Sequence, residues 1–146
     1  MKITVRYQSH GGNTKEAAEV IAKAINVTAE TIEKPIIEYV DLLIIGGGVY
    51  KWDIDPSLKN YLHNLDPKLV KSVAAFTTAG GMDKTNTILS IVKNKGINVE
   101  EVTLPLKVLL RNHTALGKRK FKKLTDKQIK LINDFVNNLL EKYNIK

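Results

Sequence analysis

After Asp41 the chain reads Leu42-Leu43-Ile44-Ile45 and then Gly46-Gly47-Gly48. A strand with one wet face alternates apolar and polar residues, because successive side chains point to opposite sides. This run does not alternate, so both of its faces must be covered. That is the pattern of a parallel strand packed between two layers of helices, and it places residues 41–48 at the centre of a sheet.

The rest of the chain fits that arrangement. Ile3 to Tyr7 reads as a first strand, and Asn13 to about Ile25 as a helix with Ala17, Ala18, Ile21, Ala24 and Ile25 on one face. Thr28 to Ile32 is a second strand by its β-branched residues, followed by Pro35 and a short segment, Ile36 to Val40, with room for about one helical turn. Asp55 and Pro56 open a helix to about Leu65, with aspartate as N-cap and proline at the first helical position. Val73 to Thr78 is the next strand, and Lys84 to Lys95 a helix ended by Gly96. Val99 to Leu110 supplies a last strand, in which Pro105 marks a break, an edge or a bulge. Thr125-Asp126-Lys127-Gln128 is a capping box for a final helix whose apolar face includes Ile129, Ile132, Phe135, Val136, Leu139 and Leu140. Strands alternating with helices predict one α/β domain over residues 1–146, a three-layer α/β/α sandwich on a parallel five-stranded sheet.

In such folds ligands bind beyond the carboxyl ends of the strands, where the strand order reverses. The loops after the first, third and fourth strands are therefore the ones to read. The first, Ser9-His10-Gly11-Gly12-Asn13-Thr14, leads from a strand into a helix start, where unpaired amides and the positive end of the helix dipole favour an anion. It is not a dinucleotide fingerprint: Gly11 and Gly12 are adjacent, and Lys15-Glu16 stand where a third glycine belongs. Nor is it a Walker loop, since Thr14-Lys15 is reversed and too early. Hydroxyls at Ser9 and Thr14 with the amides of residues 10–13 suit one terminal phosphate monoester held without a metal. The second loop, residues 47–55, holds Gly48, Val49, Tyr50, Lys51 and Trp52, so two large aromatics stand beside glycines at the expected ligand end. A planar ring needs such a flat apolar face, and backbone groups for its edge. The third loop offers Thr78, Ala79, Gly80 and Gly81, small enough for backbone to approach a ring.

Ser9 to Thr14 resemble the flavodoxin phosphate loop, Ser/Thr-x-Thr-Gly-Asn-Thr, in five of six positions, with Gly11 replacing a threonine. With the other two loops, nearly the whole chain resembles the flavodoxin family. The stretch from Gly47 to Leu62 is similar to the branch that includes menaquinone-dependent protoporphyrinogen oxidase, although Asp53 stands where that branch often has histidine. The resemblance implies a sheet order 2-1-3-4-5. It also implies FMN as cofactor: Ser9, His10, Gly11, Gly12, Asn13 and Thr14 on the phosphate, Tyr50 or Trp52 stacked on the ring, and Thr78, Ala79, Gly80 and Gly81 along its other side. It further implies an electron-transfer protein or small oxidoreductase; a quinone-linked oxidase of the protoporphyrinogen type is the alternative.

Composition limits the chemistry further. There is no cysteine, so disulfides, thiolate metal sites and dithiol redox reactions are excluded, and any electron transfer needs a bound cofactor. The opening residues are too charged for a secretory signal, and no apolar run is long enough to cross a bilayer, so a cytoplasmic location is expected. The formal net charge is +8, which favours an acidic redox partner if the acceptor is a protein rather than a quinone. Lys118 to Lys123 is the densest basic cluster, read as a solvated loop or a peripheral membrane contact; no specific nucleic acid is expected. A flavin-free module using that charge to bind nucleic acid or membrane is a third reading. Lys51 and Lys84, beside the ring loops, are expected to favour a reduced, anionic flavin. His10 is expected to contribute its backbone amide with a solvent-facing side chain, and no acid-base pair, nucleophile or metal site stands out.

Overall fold

The computed structural model describes residues 1–10, 12–108 and 124–143, and in it the doubly apolar run is the middle of a sheet. The elements are β1 (Ile3–Gln8), α1 (Asn13–Ala24), β2 (Ala29–Thr31), β3 (Leu42–Tyr50), β4 (Asp53–Ile54), α2 (Pro56–His63), β5 (Ser72–Ala79), α3 (Thr85–Asn94), β6 (Asn98–Val99), β7 (Leu104–Lys107) and α4 (Asp126–Lys142). The sheet runs β2-β1-β3-β5-β6 with all neighbours parallel; β7 also pairs with β5 in parallel, and β4 folds back antiparallel on β3.

β3 shows why the helices divide as they do. Leu42 and Ile44 point into a core with α1 and α4, where they meet Ala18, Ile21, Phe135 and Leu139. Leu43 and Ile45 point the other way, into a core with Leu58 and Leu62 of α2 and Ile88 and Val92 of α3. All four β3 side chains are essentially inaccessible, each contributing roughly 1.5–3 kcal/mol of transfer free energy. The expected capping holds: the Asp55 carboxylate accepts from the Ser57 amide at 2.8 Å, and Thr125 and Gln128 form the reciprocal box. Gly96, at φ +83°, ends α3 in the left-handed conformation that glycine adopts at little cost.

Three expectations are corrected. The fifth strand is not continuous from Val99: it is split into β6 and β7, which occupy the same edge of β5. While β5 advances from Val73 to Phe76, the edge advances from Val99 to Leu104, two residues further, so the intervening chain bulges out. Of the three roles expected for Pro105 the edge position holds: it pairs with Thr77 within β7, where an edge strand tolerates its missing N–H, and the bulge lies before it. The sheet therefore contains more strands than the five expected, though its central order is the expected one. No helical turn forms over residues 36–40, which lead, with a bend at Glu38, from Pro35 to the Val40–Val70 bridge. Finally, the second loop does not begin at Gly47. β3 continues through the glycines to Tyr50, and the turn comes at Lys51-Trp52. Leu110, the expected end of the last strand, lies outside the described residues.

The glycines of β3 are explained by close approach. A Cβ on Gly46 would lie 2.2 Å from the Phe76 carbonyl oxygen and 2.5 Å from its ring, and one on Gly47 would lie 2.8 Å from Leu58 Cδ2. The Lys51-Trp52 tip is less expected. Both residues have positive φ, 48° and 73°, in the two-residue hairpin position that usually takes Asn-Gly.

Far from the carboxyl ends of the strands, a buried carboxylate ties α4 to the sheet. Glu100, 2% exposed, accepts from Ser72 Oγ at 2.7 Å, Lys142 Nζ at 2.6 Å and the Tyr143 hydroxyl. Burial by itself would raise its pKa, but the hydrogen bonds from Lys142, Tyr143 and Ser72 together outweigh it and hold the carboxyl below its ordinary value.

Two stability predictions follow from these features. A carboxylate with a depressed folded pKa contributes stability above its unfolded pKa, about 4.3, and loses it as pH falls through the lower folded value. Glu100→Gln should therefore lower the urea-unfolding free energy by about 1–2 kcal/mol at pH 7 and flatten its acid dependence below about pH 4.5; equal slopes in both proteins would refute the assignment. At the hairpin tip, relief of left-handed backbone (about 1–2 kcal/mol) exceeds the entropy glycine adds to the unfolded chain (about 0.5–1 kcal/mol), so Trp52→Gly should raise the stability of the flavin-free protein by about 0.5–1 kcal/mol.

Candidate functional site

At the carboxyl ends of β1, β3 and β5 the three loops converge as the strand order requires. β1 is the turning point: chain order runs outward to β2 on one side and to β3 and β5 on the other. Gly12, at φ +87°, is the N-cap of α1 and carries no side-chain cap, unlike Asp55 before α2 and Thr125 before α4. Glu16, in the first turn, is turned away to accept from the Leu124 amide at 2.9 Å, so its carboxylate ties the entry of α4 to α1.

Register places the second and third loops beside this helix start. Gly48 is level with Thr78, and the Thr78 hydroxyl is 2.7 Å from that of Thr14. A cleft of about 70 Å³ is lined by His10, Asn13, Thr14, Gly48, Val49, Tyr50, Thr78, Ala79, Gly80 and Val108. Tyr50 keeps it narrow. Its ring folds back so that a Cβ on Gly48 would lie 2.5 Å from the hydroxyl, and that hydroxyl accepts from the His10 amide at 3.1 Å. The Gly12 amide is also engaged, donating to Ser9 Oγ at 3.0 Å. Two of the amides expected to face an anion are thus paired with hydroxyls, which an anion's oxygens would replace.

Ser9, Gly12, Lys51, Trp52 and Gly81 do not line this cleft. Ser9 and Gly12 shape the first loop from behind, Lys51 and Trp52 form the hairpin tip, and Trp52 is 78% exposed. A Cβ on Gly80 or Gly81 would meet nothing within 4 Å, so this backbone faces open space where a flat group has room to approach. Gly11 and the basic cluster Lys118 to Lys123 lie outside the described residues, as does His113.

The His10 side chain is engaged rather than merely solvent-facing. Its Nε2 lies 2.6 Å from Asp55 Oδ2, and its ring meets Tyr50 edge-on with centroids 4.9 Å apart. Burial pushes the Asp55 carboxyl up, but bonds from Ser57 and His10 hold it below its ordinary value, so it faces His10 as an anion. The N-cap of α2 therefore latches the first loop to the second. Asp55 was readable as a cap, but nothing in the spacing of residues 10 and 55 signals their contact. Val108 was likewise missed, although it follows the edge strand β7 and so had to arrive at this end of the sheet.

Charge around the ring loops is more balanced than the lysines suggested. Asp53 is held below its usual range by the Lys59 ammonium, then by the Ile54 amide, with a further contribution from the charge of Lys84. Asp83 accepts from the Thr85 amide and hydroxyl at 2.8 and 2.6 Å, so Lys51, Lys59 and Lys84 are interleaved with Asp53, Asp55 and Asp83. Among the described residues no group of metal-ligating side chains occurs, and no helix is long and apolar enough to cross a membrane.

The residues present fit a flavin mononucleotide: an uncapped helix start beside hydroxyls, an aromatic in the cleft, and open backbone at Gly80 and Gly81. Comparison with solved structures finds the same architecture. A flavodoxin from the domain Archaea superposes with a TM-score of 0.77 at 19% identity, covering 99% of this chain and 100% of that one. Oxidised flavodoxin 2 from Bacillus cereus gives 0.71 at 16% identity, with 97% and 99% covered. Rubredoxin oxygen:oxidoreductase from Desulfovibrio gigas gives 0.69 at 16% identity, where 97% of this chain matches 35% of that longer one. At these identities the likeness is one of fold. A search of curated proteins finds no match. The family model for the flavodoxin domain matches residues 4–135, a span that includes all three loops and all of the sheet but its first residue, and by that match the chain belongs to the flavodoxin family.

Proposed function

We propose that the protein binds FMN and transfers electrons, with the phosphate at the start of α1 and the ring between the second and third loops. The observation that carries this reading is the convergence of three glycine-bearing loops on a helix start with no side-chain cap. Two of the superposed structures are flavodoxins, one archaeal and one from Bacillus cereus, in keeping with it.

Bound there, the flavin supplies the electron-carrying chemistry, and the chain supplies binding, orientation and field. Asn13, Thr14 and the first-turn amides of α1 face the phosphate. Tyr50 is the aromatic of the cleft, and it must lift from Gly48 and release the His10 amide to present its ring face. Trp52, exposed at the hairpin tip, is then the aromatic nearest to a partner. A single phosphate loop and the absence of a dinucleotide fingerprint favour FMN over FAD. The electron acceptor is proposed to be an acidic protein or a quinone. No contact in the structure favours the protoporphyrinogen-type reaction over simple electron transfer.

Reconstitution tests the reading: FMN should bind one-to-one and tighter than riboflavin or FAD, and Ser9→Ala should weaken FMN about tenfold, because the Ser9 hydroxyl, once released by the Gly12 amide, is lost as a donor to the phosphate. A protein that takes up no FMN removes the proposal. The interleaved charges predict a second reduction step less negative than in acidic flavodoxins, and Lys51→Gln with Lys84→Gln should lower it, most at low ionic strength. Potentiometric titration that shows no change between the two proteins would exclude a role for these cations.

A further inference from the structure

Thr14 and Thr78 are far apart in sequence and belong to different loops, yet their hydroxyl oxygens lie 2.7 Å from one another in a buried setting. Thr14 is 1% exposed and Thr78 5%. Thr14 sits in the first turn of α1, at the expected phosphate; Thr78 is near the end of β5, on the ring side.

Each hydroxyl has one proton and two lone pairs, so within the pair only one can donate to the other. If Thr14 donates to Thr78, it has no proton left for an anion in the first turn. If Thr78 donates, Thr14 is free to direct its own proton outward, and it becomes the stronger donor because accepting a hydrogen bond polarises a hydroxyl. An anion accepts only, so it selects the second arrangement. We propose that Thr78 is a specificity-determining positioning residue: by donating to Thr14 it commits the Thr14 hydroxyl to phosphate, and so sets the preference for a phosphorylated over an unphosphorylated ligand from the ring side of the site. This rests on the FMN reading above.

The neighbouring residue provides an internal control. Thr77 is also fully buried, but it lies on the opposite face of β5, and its hydroxyl has no hydrogen-bond partner among the described residues. Replacing Thr77 by valine removes a buried hydroxyl from the same strand without touching the Thr14 pair.

The experiment uses the full chain freed of flavin, titrated with inorganic phosphate, FMN and riboflavin, by thermal shift and by flavin fluorescence. Thr78→Val should weaken inorganic phosphate and FMN about 3–5-fold while changing riboflavin by less than about 1.5-fold, because the Thr14 hydroxyl keeps its proton but loses the donor that orients and polarises it toward phosphate. Thr78→Ser should restore both, and Thr77→Val should leave all three unchanged. Equal loss of FMN and riboflavin in Thr78→Val overturns the proposal, as does undiminished phosphate binding or an equal effect of Thr77→Val. If the unaltered protein binds phosphate in a Thr78-dependent way but takes up no FMN, the FMN reading fails and the coupling stands. If it binds neither phosphate nor FMN, both fail.

Discussion

Everything at this site depends on how closely β3 can be approached from both sides. The Phe76 ring lies over Gly46 where any Cβ would collide, and Leu58 of α2 closes on Gly47 from the other face. Side chains there would push β5 and α2 away from the strand, because a packed interior has no slack to absorb even one methyl group. The same glycines let β3 run on past the sheet to Tyr50, so the hairpin that carries both aromatics is an extension of a central, buried strand. The ligand end is built outward from the core, on the element least able to move.

On that rigid base the loops are joined by polar contacts between residues distant in sequence. Ser9 Oγ closes the first loop on Gly12, His10 reaches the cap of α2 at Asp55, and Thr14 meets Thr78. Most of these contacts reuse groups that already serve secondary structure: Asp55 caps a helix, Gly12 starts one, and Thr78 is a β-branched residue in a strand. Such double use is economical in a single domain. It also means that the loops are not independent of one another, which suits the FMN site proposed above.

The fold was readable from the sequence where periodicity or capping chemistry is local. The unbroken apolar run from Leu42 to Ile45 announced a central strand; Asp55-Pro56 and the box from Thr125 to Gln128 marked helix starts that the structure reproduces. The errors came where a residue's role depends on a neighbour far along the chain. Gly47 and Gly48 read as the start of the second loop, whereas β3 runs through them to Tyr50, with Phe76 and Leu58 close against Gly46 and Gly47. Pro105 reads as a break, an edge or a bulge, and only the fold selects the edge, with the bulge before it, where Glu100 turns inward to Ser72, Lys142 and Tyr143. Of the candidate site, the sequence located the loops but not the order within them. That Tyr50 folds into the cleft while Trp52 stands outside follows from two positive φ angles at the tip, and neither residue type prefers that conformation.

By itself the sequence determined the layered α/β plan, the absence of thiol chemistry and the positions of three loops able to meet a phosphate and a flat ring, because these follow from alternation, composition and the geometry of strand ends. Only the tertiary structure decided which hydroxyls pair, which aromatic fills the cleft, and how far the lysines of the ring loops are offset by Asp53, Asp55 and Asp83. The physical reason is range. Backbone propensity and burial pattern act over a few residues, whereas hydrogen bonds and charges act over a few ångströms of space, and only folding brings residues 10 and 55, or 14 and 78, within that reach.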